Sequence, residues 1–238
     1  MAYYLGIDLG GTKINGLILR DNHAEPVIQR KIPTEGKYGA DAVLERIAQL
    51  CNRGETLLMP NIPGDWYKKP VEAQLEKLLN HPAWLLNDAR SFTLAEAKLG
   101  AGKGYPVVTC FTLGTGIGGG VAINGALHLG LGGGAGEFGH STVHVDGLPD
   151  GSGTPGAIEA YGSGPAIAAA GVKAVMQGVN TSIGKLVDYD LNKITPHTIL
   201  QAAQEGDEVA LRILDDAGKY LGAGVANVVT VFAPHCIV

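Results

Sequence analysis

Asp8-Leu9-Gly10-Gly11-Thr12-Lys13 separates two β-rich runs, 3–7 and 14–19, and Leu113-Gly114-Thr115-Gly116-Ile117-Gly118-Gly119-Gly120 separates two more, 107–113 and 121–123. Strand, glycine turn, strand therefore occurs twice, and the repeat decides the fold. Glycines without Cβ let backbone N–H groups close on phosphate oxygens. Thr12 and Lys13 add donors, and Asp8 at a strand end can hold a hydrated Mg²⁺. The pattern is not G-x-x-x-x-G-K-[ST], so it is not a Walker A loop. The plain alternative for the first turn is an ordinary β-turn with Gly-Gly at positive φ. The second turn argues against that alternative, because two phosphate clasps facing across a cleft hold one nucleotide.

Next to the first repeat, 27–32 reads as a third strand after the polar turn Asp21-Asn22-His23, which makes a meander. Val43, Leu44, Ile47 and Leu50 recur at helical spacing over 41–51. A Pro/Gly-rich loop follows. Leu75, Leu78 and Leu79 mark a second helix, 83–86 a short strand, and 92–99 a helix capped by polar residues. After the second repeat, 114–120 reads as a glycine turn, Asn124-Gly125 as a hairpin turn and 126–129 as a third strand. Beyond residue 157 the chain reads as mostly helical, with starts at Ser163/Pro165, Thr195/Pro196 and Asp207, before an apolar strand beginning at Cys236.

The glycine content, 36 of 238 residues, is well above the usual share of about 7% and concentrates at turn or ligand-loop positions. A net charge of −5 with no basic run argues against nucleic acid as a main partner. Cys51, Cys110 and Cys236 are widely spaced, offer no CxxC pair and suit a reducing compartment. With no charged leader, no h-region and no apolar run of about 20 residues, the expected location is the cytoplasm, away from membranes.

Asn87-Asp88 reads either as a helix cap or as a catalytic pair, since Asn and Asp accept first-turn N–H groups. Glu137 and His140, three residues apart in a glycine-rich loop, can converge on vicinal hydroxyls. With these residues in view, the chain resembles the ROK family of sugar kinases and related repressors. The resemblance rests on 8–13, Leu86-Asn87-Asp88-Ala89, 113–116, Gly136-Glu137-Phe138-Gly139-His140 and Ile158-Glu159-Ala160-Tyr161-Gly162-Ser163-Gly164. It implies an α/β, two-lobed actin/hexokinase-like (ribonuclease H-like) ATPase fold with mixed sheets. The smaller lobe would span 1–88 and carry the first phosphate turn. The larger would span 89–238 and carry the second turn and the sugar loop, truncated at its C-terminus.

The resemblance further implies ATP-dependent phosphorylation of a hexose, glucose or a close relative, at a primary hydroxyl. Asp88 would be the general base and Asn87 would hold a neighbouring hydroxyl. Glu137, His140 and Glu159 would bind the sugar. Gly10, Gly11, Thr12, Lys13, Gly114, Thr115 and Gly116 would hold nucleotide phosphates, and Asp8 would hold Mg²⁺ through water. A homodimer or homotetramer is implied. The alternatives are a sugar-responsive regulator of the same family, which predicts a DNA-binding helix-turn-helix, and a sugar-binding relative without catalysis.

The sequence departs from the family pattern in three places. The family follows E-x-G-H with three cysteines that, with the histidine, bind a structural zinc; here Asp150, Ser152 and Ala157 stand at those positions. Closed structural zinc sites prefer thiolate and imidazole, so no zinc is expected, with Pro149, Pro155 and the short glycine loop stiffening the segment instead. Between Cys51 and Pro60 a strand and P-G turn of the family are missing. After Val238 the adenosine-binding segment is missing, so a sequence with omitted segments is expected.

Overall fold

The computed structural model describes residues 3–20, 26–51 and 70–238. The polar turn at 21–23 and the departure between Cys51 and Pro60 lie outside the described residues. The chain divides into two compact units, Met1–Ser91 and Phe92–Val238.

In the first unit, β1 (Tyr3–Leu9), β2 (Lys13–Arg20) and β3 (Ile28–Pro33) form an antiparallel sheet in the order β1-β2-β3. The register pairs Leu9 with Ile14 and Lys13 with Pro33, which sets the first glycine turn at one end of the sheet. Alternation places Ile14 inward, where it is fully buried against Val43, Leu44 and Ile47 of α1 (Ala40–Cys51) and Leu75 of α2 (Val71–Leu79). No strand forms at 83–86; the Ala83 N–H donates to Glu76 Oε1 at 3.2 Å, so this extended segment is tied to α2 rather than to a ladder. The third helix, α3 (Asp88–Lys98), starts four residues earlier than the sequence pattern implies. Asn87 is the reason: its Oδ1 accepts from Arg90 N at 3.2 Å and satisfies a first-turn donor.

In the second unit, β4 (Val107–Leu113), β5 (Ile117–Ile123), β6 (Ala126–Leu127) and β7 (Cys236–Ile237) form a mixed sheet in the order β6-β5-β4-β7, with β7 parallel to β4. The glycine turn is shorter than 114–120. Gly118, Gly119 and Gly120 lie within β5, opposite Thr112, Phe111 and Cys110. A Cβ at Gly119 would overlap the Phe138 ring and one at Gly120 the Thr93 hydroxyl, so these glycines form a thin stretch of sheet against which α3 and the following loop pack closely. Asn124 and Gly125 both adopt positive φ, as a tight hairpin turn requires. The strand after that turn is two residues, shorter than 126–129.

The helices of this unit are α4 (Glu159–Gly162), α5 (Gly164–Met176), α6 (Pro196–Gln204) and α7 (Glu208–Phe232). Ser163 caps α5, Thr195 and Thr198 form a reciprocal capping box on α6, and Asp207 caps α7. Ile183, Ile199, Ala202 and Ala210 form their buried core. No described helix is long and apolar enough to cross a membrane.

Candidate active site

The first turn is shaped by a residue the sequence did not single out. Thr34, fully buried, donates from Oγ1 to Gly10 O at 2.6 Å and from its backbone N–H to Thr12 O at 3.0 Å, while Gly10 N donates to Lys13 O at 2.9 Å. Neither Gly10 nor Gly11 has positive φ, so the backbone angles of this turn do not themselves call for glycine. The N–H groups of Gly11 and Thr12 donate to no described residue. Asp8, at the end of β1 opposite Asn15, is exposed, as are Thr12 and Lys13.

At the start of α3, Asp88 is exposed and its Oδ1 accepts from Asn87 Nδ2 at 3.0 Å and from Ala89 N at 2.9 Å. Oδ2 makes no hydrogen bond to a described residue. Asn87 is thus a helix cap and at the same time orients the Asp88 carboxylate.

In the second unit, the turn after β4 closes through Gly114 N to Gly116 O at 2.9 Å, leaving the N–H groups of Thr115 and Gly116 without a described acceptor. The next N–H, of Ile117, donates to Glu159 Oε2 at 2.7 Å. A Cβ at Gly116 would lie 2.5 Å from that carboxylate oxygen, so any larger residue there would push the Glu159 carboxylate aside. An open cavity of about 590 Å³ begins at Leu113, Gly114 and Thr115 and is walled by Pro165, Ile167 and Ile194. Its apolar walls were not legible in the sequence, because α5 and the segment before α6 reach it only after folding.

The Gly136-Glu137-Phe138-Gly139-His140 loop is anchored by Phe138, buried between Phe111 and Phe232 at ring separations of 5.0 and 6.0 Å. Gly136, at φ 86°, brings its backbone against Gly120, a path only glycine follows. With Phe138 turned inward, Glu137 is exposed and His140 half-exposed. One ligand-capable atom from each of His140, Asp150 and Glu159 falls within 4.8 Å of the other two.

Asp150 is the unexpected member. Its side chain is fully buried and accepts four hydrogen bonds: from His140 Nδ1 at 2.5 Å, Ser152 N at 2.8 Å, Ser152 Oγ at 2.6 Å and Thr154 N at 3.1 Å. Burial alone would raise its pKa, but the Ser152 hydroxyl, His140 and the two N–H groups outweigh burial and hold the pKa at about 2. The same contact with Asp150 raises His140, against a smaller opposing effect of burial. The 150–154 run, Asp-Gly-Ser-Gly-Thr, is an Asx-turn signal available in the sequence.

These residues do not fit a structural zinc. A closed structural zinc site prefers thiolate and imidazole, whereas this cluster offers one imidazole, His140, and two carboxylates, Asp150 and Glu159. Asp150 Oδ1 already accepts three donors, Glu159 Oε2 accepts Ile117 N–H, and Ser152 and Ala157 offer no thiolate.

The model of the ROK family matches residues 52–238. The chain is 30% identical over 266 aligned residues to the glucokinase of Streptomyces coelicolor, covering 100% of this chain and 81% of that protein. It is 30% identical to the xylose repressor of Caldicellulosiruptor bescii over 78% of this chain and 45% of that protein. Among solved structures, the Streptomyces griseus ROK family glucokinase in complex with glucose and AMPPNP superposes with a TM-score of 0.82 at 29% identity, covering 99% of this chain and 82% of that one. The α/β, actin/hexokinase-like fold, the two glycine turns and these similarities identify the chain as a member of the ROK family of sugar kinases.

Proposed function

We propose that this protein is an ATP-dependent hexose kinase acting on glucose or a close relative at a primary hydroxyl. The observation that carries the reading is the Glu159 carboxylate. It binds the N–H directly after the second glycine turn while its ligand atom lies within 4.8 Å of His140, so a sugar-binding cluster and a phosphate turn share a wall. The N–H groups of Gly11, Thr12, Thr115 and Gly116, which donate to no described residue, support a role in holding phosphate oxygens. The similarity to a kinase solved with glucose and AMPPNP supports a hexose and ATP as its substrates.

In this reading the smaller lobe, 1–88, and the larger, 89–238, each contribute a phosphate turn. Glu137, His140 and Glu159 bind sugar hydroxyls, with Asn87 holding another. Asp88 Oδ2 takes the proton of the attacking hydroxyl as its oxygen forms a bond to the γ-phosphorus and the β,γ-bridging oxygen leaves with ADP. Asp8, an exposed carboxylate, suits a Mg²⁺ that keeps most of its water and neutralises phosphate charge. A cytoplasmic homodimer or homotetramer belongs to the same reading.

A coupled assay of ADP release over a panel of hexoses tests it. Asp88→Asn is expected to lower kcat by about 10²–10⁴-fold with sugar affinity little changed. If no hexose stimulates ADP formation, the reading fails. The relation to a repressor supports a second reading, sugar binding without transfer, which predicts sugar affinity and no ADP.

A further inference from the structure

Within the sugar cluster, the most heavily hydrogen-bonded group is one whose side chain is closed off from solvent. Asp150 carries a fully buried side chain, and every donor around it comes from one short loop or from His140. The loop is itself rigid: Pro149 bridges Pro155, Asp150 N donates to Thr154 O at 3.1 Å, and Gly156 N donates to Leu148 O at 2.8 Å. Thr142 bridges Ala157 and Ile158 N donates to Ser141 O at 3.1 Å, which ties the loop to the segment just after His140 on one side and to Glu159 on the other. A charged group buried in so stiff a frame, with three donors on Oδ1, has one oxygen left to act outside the loop. That oxygen, Oδ2, meets His140 Nδ1.

The geometry points to Asp150 as a positioning residue that locks His140 with its proton on Nδ1 and its ring edge fixed, so that Nε2 is the atom presented to a sugar hydroxyl. The reasoning is general: the partner of one imidazole nitrogen decides the role of the other. An ionised carboxylate accepts only, so the nitrogen facing Asp150 carries the proton. The His140 side chain is 37% exposed, so part of it stays open to a ligand while Nδ1 faces Asp150. A buried carboxylate thereby does, without metal, what an orienting ligand does elsewhere. The chain accordingly has no use for thiolates at 150, 152 and 157. This deepens the kinase reading and rests on it for the identity of the ligand, but not for the lock itself.

Long-range ¹H–¹⁵N correlation of histidine-labelled protein reads the lock directly, with the His140 signals identified by their loss in His140→Gln. The wild-type ring is expected to carry its proton on Nδ1, and Asp150→Ala to move the neutral ring towards the Nε2–H form. Calorimetric titration with glucose, N-acetylglucosamine and mannose reads the consequence. Asp150→Ala is expected to weaken binding of the preferred sugar by about 10–100-fold. Asp150→Asn, isosteric and included in case the alanine variant does not fold, is expected to weaken it by about threefold or more.

An Nε2–H ring in the wild-type protein, full sugar affinity in either folded variant, or one zinc per chain by elemental analysis overturns the proposal. Sugar binding without ADP release, or no binding of any sugar to wild-type protein, refutes the kinase reading instead, and the ring tautomer still decides the lock.

Discussion

Replacing Asp207 by alanine should be among the most damaging single substitutions outside the active site. The carboxylate does two jobs. Oδ1 caps α7, accepting from Val209 N and Ala210 N at 2.9 Å each, and Oδ2 holds a segment 25 residues upstream, accepting from Ser182 N at 2.5 Å, Thr181 Oγ1 at 2.8 Å and Ser182 Oγ at 2.9 Å. The held segment leads directly into Ile183, fully buried in the same core as Ala210, so slack there reaches the packing.

Loss of a cap costs about 1 kcal/mol, and hydrogen bonds to a charged acceptor contribute about 1.5–3 kcal/mol more when their donors are left behind. Asp207→Ala should therefore destabilise by about 3 kcal/mol, and Asp207→Asn, which keeps one acceptor, by about 1–2 kcal/mol. The pH dependence offers a second check. Burial alone would raise this carboxyl, but the N–H groups of Ser182 and Ala210 and the hydroxyls of Thr181 and Ser182 hold it at about 2, against 3.8 in the unfolded chain. A depressed folded value means that the stabilisation is complete above the unfolded value and is lost as pH falls towards the folded one. At 1.36 kcal/mol per tenfold in acidity, and allowing for its partial exposure to solvent, that is about 1–2 kcal/mol.

Equilibrium urea unfolding followed by far-ultraviolet circular dichroism, which the 25-residue α7 helps to dominate, measures both quantities. The gap between wild type and Asp207→Ala should narrow by about 1–2 kcal/mol on going from about pH 6 to about pH 2.5. A gap below about 0.5 kcal/mol at neutral pH, or one that does not change with pH, refutes the reasoning.

Two further substitutions probe the turns. Gly116→Ala places a methyl 2.5 Å from Glu159 Oε2 and must displace that carboxylate from the Ile117 N–H; steady-state kinetics should show kcat/KM for the sugar down by about 10-fold or more, with a stability loss of about 1–3 kcal/mol. Unchanged kinetics would separate the second turn from the sugar cluster. Thr34→Val keeps the volume but removes the 2.6 Å hydrogen bond to Gly10 O, and thermal unfolding should register about 1–2 kcal/mol. A rise in KM for ATP without a matching rise for the sugar is expected from the same variant.

Much of this molecule is legible in its sequence because the relevant physics is local. The meander β1-β2-β3 follows from alternation and the helices α1 and α2 from apolar spacing. The starts of α5, α6 and α7 follow from Ser163, Thr195/Pro196 and Asp207, whose side chains satisfy donors within their own first turn. The structure departs from the sequence pattern where a local signal is overruled by a contact with another element. Residues 83–86 have strand-like composition but are tied to α2 through Glu76, and Gly118, Gly119 and Gly120 look like turn residues but lie in β5 because Thr93 and Phe138 need the space a side chain would fill.

For the site, the sequence alone determined which chemistry was available: two glycine turns, the Asn87-Asp88 pair, and carboxylates and an imidazole in a glycine-rich loop. Only the tertiary structure decided how those groups are held. Thr34 reaches Gly10 across 24 residues, Ile117 reaches Glu159 across 42, and Asp150 turns a position without a thiolate into the partner of His140. Such contacts leave no periodicity and no spacing rule behind, since a hydrogen bond between distant segments depends on where the folded backbone brings them and not on their separation along the chain.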